Sequence, residues 1–145
     1  MKSLFFGILL LLGSFSVQAQ SSPEQIIDKF FQDLVTEKPE KALDNLYTHL
    51  PWLANIKGDV DKLKTQFITL QTYFVKYCGN AMIAKKDIAN TFIIYSYLVK
   101  YERQPVRFTF KFYKPKDTYI VFSFSYDMNL EEELDKCMKV DQIKQ

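Results

Sequence analysis

The chain has 145 residues, of which 48% are hydrophobic and 25% are charged, and its formal net charge is +2. Nucleic-acid binding requires clustered basic residues that neutralise phosphates, so this near balance of charge argues against a nucleic-acid partner. Only 4 glycines and 5 prolines accompany 13 phenylalanines and 9 tyrosines, which argues against a disordered or fibrous chain.

Residues 1–19 have the composition of a secretory signal peptide. Lys2 supplies a short positive start, Leu4–Leu12 is apolar, and Val17-Gln18-Ala19 is a cleavage signal before Gln20. The apolar segment is shorter than the roughly 20 residues that span a bilayer, which argues against a retained membrane anchor. No cysteine follows it for lipid attachment. We therefore expect a secreted or periplasmic protein with no membrane partner after cleavage.

Residues 20–145 are expected to form a single domain that begins with a helix. The stretch Ser22-Pro23-Glu24-Gln25 is typical of a capping box with proline at the first helical position. The sequence therefore predicts a first helix from Pro23 to Thr36. Its apolar stripe consists of Ile26, Ile27, Phe30, Phe31 and Leu34.

Two further amphipathic helices are predicted before the sheet. Lys38-Pro39-Glu40 starts a second helix that continues until Pro51 stops it, and Trp52 and Leu53 then cover the edge of the core. Gly58-Asp59 caps a third helix that ends near Cys78-Gly79. The stripes of all three helices are apolar and are expected to hold no polar centre.

From Ala81 onward the hydrophobic period changes from that of a helix to two. Four strands joined by short polar turns are predicted at residues 82–86, 92–101, 106–113 and 119–126. This order predicts an antiparallel meander. A short C-terminal helix is expected to follow, with Asn129 as its N-cap and Leu130, Leu134 and Met138 on its apolar side.

The register of the sheet follows from the turn lengths. A three-residue loop at residues 115–117 pairs Phe110 with Phe122 and Phe108 with Phe124. A two-residue turn at Arg103-Gln104 places Tyr95 and Tyr97 on the same inner face. The alternative register of that turn would instead place Ile94, Ser96, Leu98 and Lys100 inward, which is a less apolar set.

The only cysteines, Cys78 and Cys137, form a candidate disulfide because the chain is expected to enter an oxidising compartment. Such a bridge would close a loop of about 60 residues and stabilise the fold by roughly 4 kcal/mol in the chain-entropy model. The alternative is a pair of thiols that act as small apolar side chains.

Three helices followed by a curved four-stranded sheet resemble the cone-shaped α+β fold of the nuclear-transport-factor-2-like superfamily. The opening "IIDKFFQDLVTEKPEKALDNLY" is similar to its first two helices, and "YIVFSFSYDMNLEEEL" to the last strand of its exported bacterial members, many of which have no known activity. Many members insert a strand or hairpin where this chain has only "THLPWLANIKGD". The resemblance implies that an enzyme of this kind would hold an Asp base with His or Tyr partners inside the cone.

No such chemistry is visible at the predicted inner positions, which carry Phe, Ile, Val and Tyr. The single histidine, His49, is expected to be structural, and Tyr95, Tyr97 and Tyr126 either hydrogen-bond into a cavity or simply satisfy backbone groups. Glycine-rich phosphate loops and zinc ligand sets are missing from the sequence. We therefore expect no catalytic residue, no metal site and no cofactor.

Two functions remain as hypotheses. The first is a binding protein that holds a small apolar ligand in a pocket of the cone, lined by Phe30, Phe67, Tyr95, Tyr97, Phe108, Phe110, Phe122 and Phe124. The second is an interaction or homodimerisation module. Its outer sheet face would dock a second copy or another exported protein through Ile94, Leu98, Lys111 and Val121, with Thr109 and Tyr119 beside them.

Overall fold

The computed structural model describes residues 21–36, 38–48, 50–131 and 135. The predicted signal peptide, His49, Cys137 and most of the predicted C-terminal helix lie outside these residues, so those predictions stay predictions. Within the described part of the chain, no helix combines the length and the apolar character needed to cross a bilayer.

Three helices precede one four-stranded sheet, so the predicted α+β class is confirmed. The elements are α1 (Pro23–Thr36), α2 (Pro39–Tyr47), α3 (Leu53–Phe74), β1 (Tyr77–Ile88), β2 (Phe92–Tyr101), β3 (Pro105–Tyr113) and β4 (Ile120–Asp127). Neighbouring strands pair antiparallel in the order β1-β2-β3-β4, as a meander requires. The helices cover one face of the curved sheet, an arrangement consistent with the nuclear-transport-factor-2-like fold.

Helix α1 begins with the predicted capping box. The side chain of Gln25 accepts a hydrogen bond from the amide of Ser22 at 2.9 Å, and the amide of Gln25 donates to the hydroxyl of Ser22 at 3.3 Å. These reciprocal bonds satisfy two amides that the first turn leaves without helical partners. The cap therefore fixes where α1 begins.

Helix α3 begins earlier and ends earlier than predicted. It starts at Leu53, so Gly58 lies inside the helix on an open surface. Apart from the helix's own backbone, no group lies within 4 Å of where a Cβ would stand. Glycine costs about 1 kcal/mol within a helix, and the packing of Leu53 and Ile56 against the core offsets it. The helix ends at Phe74 because Val75 takes a positive φ of 73°.

The pairing of β2 with β3 differs from the predicted register by two residues. Tyr97 lies opposite Phe108, Tyr95 lies opposite Phe110, and the last pair joins Lys100 to Pro105. The connection is therefore longer than the predicted two-residue turn. Because side chains alternate with a period of two, this even shift leaves the predicted inner residues of β2 on the inner face.

A bulge in β4 overturns part of the predicted pattern. Phe110 pairs with Phe124, and the register then changes so that Phe112 pairs with Val121, which leaves Phe122 as an extra residue. The predictions for two residues are therefore wrong. Val121 is buried and not part of the outer face, whereas Phe122 is 60% exposed and not part of the inner face. The extra residue interrupts the alternation of β4.

The core lies between α1, α3 and the inner face of the sheet. Phe30 of α1 is at its centre, and its ring contacts the rings of Phe67, Phe108, Phe110 and Phe124. Helix α2 closes one side, where the hydroxyl of Tyr47 accepts a hydrogen bond of 3.1 Å from the amide of Phe124. That bond satisfies an amide of β4, which is an edge strand of the sheet in the part of the chain that the structure describes.

Candidate functional site

The predicted pocket wall is brought together, with the exception of Phe122. Tyr97 is half-buried, and the remaining members are buried. The ring of Phe30 lies 5.1 Å from those of Phe110 and Phe124, and the ring of Phe108 lies 5.3 Å from that of Phe124. Rings at these distances are in direct contact. Among the described residues these side chains fill the space between them, so their contacts give the pocket hypothesis no support.

A polar cluster lies at the edge of this core, where α1 meets β1 and β2. The carboxylate of Glu24 accepts hydrogen bonds from the hydroxyl of Tyr95 and from the ammonium of Lys85, the latter at 2.8 Å. The bond from Lys85, followed by that from Tyr95, lowers the pKa of Glu24 to about 2. Burial and the neighbouring carboxylate raise the pKa of Tyr95 to about 12. These three side chains therefore bind one another and link α1 to the sheet.

The expectation that the helices hold no polar centre is wrong at Asp33. This residue is only 1% exposed. One carboxylate oxygen accepts a hydrogen bond of 2.7 Å from the amide of Asn45 in α2, and the other accepts one from the ammonium of Lys29. Burial alone would raise the pKa of Asp33, but the bonds from Asn45 and Lys29 outweigh it and lower that pKa.

Asp33 does not face the aromatic core. Its partner Lys29 has a side chain that is mostly exposed, and Asn45 is half-buried. The carboxylate therefore lies in the contact between α1 and α2, with both oxygens occupied. No group of three or more His, Cys, Asp or Glu residues suited to a metal ion occurs in the described part of the chain.

The sheet face opposite the helices carries an exposed apolar cluster. Ile88, Phe92 and Tyr113 lie side by side on three strands, and the ring of Phe122 lies 5.3 Å from that of Phe92. We call Ile88, Phe92, Tyr113 and Phe122 the outer aromatic patch. Three of its members rank among the exposed large hydrophobic residues, and Phe92 is half-buried beneath them.

A second row of outer residues runs across all four strands beside this patch. Lys86, Ile94, Lys111 and Ser123 are paired in register, and we call them the lysine row. Lys86 and Lys111 are two strands apart, which places their backbones about 10 Å from each other. Among the described residues, neither lysine takes part in an ion pair.

Apart from Leu98, the next two rows of the outer face are mostly polar. Ser96, Thr109 and Ser125 form a row of hydroxyl side chains, and the hydroxyl of Ser96 is buried with no hydrogen-bond partner in the described residues. In the next row, Arg107 and Asp127 form an ion pair at 3.0 Å. This pair neutralises its own charges, so within the described ranges the lysines are the charged groups of this face that have no ion-pair partner.

The four predicted interface residues do not all lie on the outer face. Ile94, Leu98 and Lys111 lie on the outer face and are half-buried there, whereas Val121 points into the core. Cys78 is exposed near the start of β1, and its proposed partner Cys137 lies outside the described residues. The disulfide therefore stays a prediction.

A shallow groove on α3 was not predicted from the sequence. It has a volume of about 450 Å³ and is lined by Thr65, Gln66, Thr69, Leu70, Tyr73, Phe74 and Met128. The guanidinium of Arg103 lies over the ring of Tyr73 at 3.9 Å and covers part of that side chain. Among the described residues no charged side chain lines the groove, and the hydroxyls of Thr65 and Thr69 already donate to backbone carbonyls of α3.

No family model, curated protein or solved structure matches this chain. Membership of the nuclear-transport-factor-2-like superfamily therefore stays a prediction, although the order of helices and strands is consistent with that fold.

Proposed function

We propose that this protein is an exported, non-catalytic interaction module that binds another protein through the outer face of its sheet. The outer aromatic patch carries the proposal. Soluble proteins rarely keep aromatic residues together on an open sheet face, and aromatic side chains are enriched at the centres of protein interfaces. Phe122 is the most exposed member of the patch, so we expect it to be the anchor.

The origin of this exposure supports a binding role. An unbroken alternation in β4 would place Phe122 and Phe124 on the same inner face, as the sequence analysis predicted. The bulge instead turns Phe122 outward, next to Phe92. Bulges commonly re-aim a side chain near a functional surface. The same strand therefore contributes one phenylalanine to the core and another to the outer patch.

The charge of the outer face favours a different protein over a second copy of this chain. Lys86, Lys100 and Lys111 all lie on this face. Among the described residues, the only acidic residue in register with it is Asp127, which is paired with Arg107. A dimer joined face to face would bring two sets of uncompensated lysines together. Like charges placed opposite each other destabilise such an interface.

The test is site-specific photo-crosslinking in the exporting cell. Phe122 is replaced by the photoreactive analogue p-benzoylphenylalanine, which keeps an aromatic side chain at the tip of the patch. The matched control carries the same analogue at Tyr73, an exposed aromatic residue of α3 on the other layer of the fold. We expect a discrete adduct with a second protein from position 122 and none from position 73.

Two outcomes would overturn the proposal. An adduct of twice the mass of the chain would show that the patch binds a second copy. Adducts from position 73 but none from position 122 would move the interaction to the groove on α3. In either case the outer face would lose its assignment as the surface for a different protein.

A further inference from the structure

The lysine row identifies the chemistry of the partner, an inference that rests on the proposed function. Lys86 and Lys111 flank Ile94 in a single row that is in register across the sheet. The next row along the strands is the outer aromatic patch, about 7 Å away at two residues per repeat. The strand pairing thus sets the backbone spacing between two lysines and an aromatic surface.

Several lysines elsewhere among the described residues have carboxylate partners, which the lysine row lacks. Lys29, Lys57, Lys64 and Lys85 are each paired with a carboxylate within the fold. The contrast is sharpest between Lys85 and Lys86, which are adjacent in sequence. Lys85 points to the inner side and meets Glu24, whereas Lys86 points outward beside Ile94 with no ion pair among the described residues.

We infer that the partner presents an acidic segment in which carboxylates alternate with apolar or aromatic side chains. The carboxylates bind Lys86 and Lys111, and the apolar side chains pack on Phe122 and Phe92. Charge complementarity of this kind sets specificity and the association rate, while the buried aromatic contact supplies most of the affinity. A bilayer of anionic lipid offers negative charge too, but it offers no ordered alternation to match rows of this spacing.

The experiment uses the purified protein and an alternating copolymer of glutamate and tyrosine as the probe. Binding is measured by fluorescence anisotropy of the labelled copolymer, with polyglutamate and phosphatidylglycerol vesicles as separate probes. We expect the copolymer to bind more tightly than polyglutamate, and we expect added salt to weaken binding because exposed charges are screened.

Matched double variants locate the site. Lys86→Ala with Lys111→Ala removes the lysine row, and we expect it to weaken copolymer binding about three- to tenfold. Lys57→Ala with Lys62→Ala removes the same charge from α3 and should leave the affinity unchanged. Phe122→Ser should abolish the preference for the copolymer over polyglutamate, since it removes the aromatic contact.

The outcomes separate this inference from the proposed function. Equal weakening by the two lysine pairs would mean that only overall charge attracts the probe, and it would overturn the acidic-segment assignment. Vesicles that bind as tightly as the copolymer, with the same dependence on Lys86 and Lys111, would overturn it in favour of a membrane surface. If crosslinks from position 122 persist while the lysine variants bind normally, the docking surface stands and the acidic partner does not.

Discussion

The two faces of the sheet are built by the same strands and differ in what their side chains meet. On the inner face, aromatic rings contact one another and the helices, and the carboxylates at the edge have partners within the fold. On the outer face, an aromatic patch and a row of lysines are left without comparable partners among the described residues. The inner face has the organisation of a core, and the outer face has the composition of an interface.

The comparison is most pronounced within β4, where Phe124 and Phe122 are two positions apart. Phe124 is 5% exposed and contacts several core rings, whereas Phe122 is 60% exposed. We expect Phe124→Ala to lower the free energy of unfolding by about 3–5 kcal/mol through the cavity it leaves. Phe122→Ala should cost about 1 kcal/mol or less, because its side chain is already largely hydrated. Urea unfolding of both variants measures the difference, and similar losses would refute the assignment of the two faces.

Replacing Asp33 tests whether its buried carboxylate stabilises the contact between α1 and α2. Asp33→Ala removes the acceptor for Asn45 and Lys29 and should lower the free energy of unfolding by about 2 kcal/mol, since the half-buried amide of Asn45 is left without this partner. Asp28→Ala, on the exposed side of the same helix, serves as the control and should change stability by less than about 0.5 kcal/mol. Equal effects would mean that the buried bonds contribute nothing.

The cluster of Glu24, Lys85 and Tyr95 predicts a dependence of stability on pH. The pKa of Glu24 is about 2 in the folded protein and 4.5 ordinarily, so its stabilising effect is present above about pH 4.5 and is lost as the pH falls toward 2. Glu24→Gln should cost about 1 kcal/mol at neutral pH, after allowance for screening of a half-exposed carboxylate by water. Urea unfolding from pH 7 to pH 2 should show the gap to the wild type narrowing in the acid range. A gap that stays constant would contradict the assignment.

Replacing Ser96 is expected to give the smallest change in the free energy of unfolding, and this change should stabilise the protein. Its hydroxyl is buried without a partner among the described residues, so Ser96→Ala should raise the free energy of unfolding by about 0.5–1 kcal/mol. Ser125→Ala, on the same row of the outer face but exposed, should have no effect. If Ser96→Ala destabilises the protein, the hydroxyl has a hydrogen-bond partner after all.

Much of the fold follows from local patterns that the sequence displays openly. The capping box fixes the start of α1, and the change of period after Ala81 identifies the meander. The register was harder to predict because a shift of two residues keeps the same side chains inward. Nothing in the alternation of Tyr95 or Phe110 distinguishes a longer turn from a shorter one.

The candidate site was harder to predict than the fold. A phenylalanine suits the inner face as well as it suits an interface, so the residue type at position 122 cannot reveal a bulge. Asp33 did leave a signal, because its position three residues after Phe30 and one before Leu34 lies within the apolar stripe of α1. The pairing of Lys85 with Glu24 joins residues 61 positions apart, and no local pattern could indicate it.

The central claim is that the outer face binds and the inner face does not. Titration of the isotope-labelled protein with the glutamate–tyrosine copolymer, followed by amide chemical shifts in NMR spectra, tests it most directly. The largest changes should fall on outer residues such as Ile94, Lys111 and Phe122, with little change at Phe30 or Phe108. Changes concentrated at Phe30 and Phe108, with the outer rows unaffected, would contradict it.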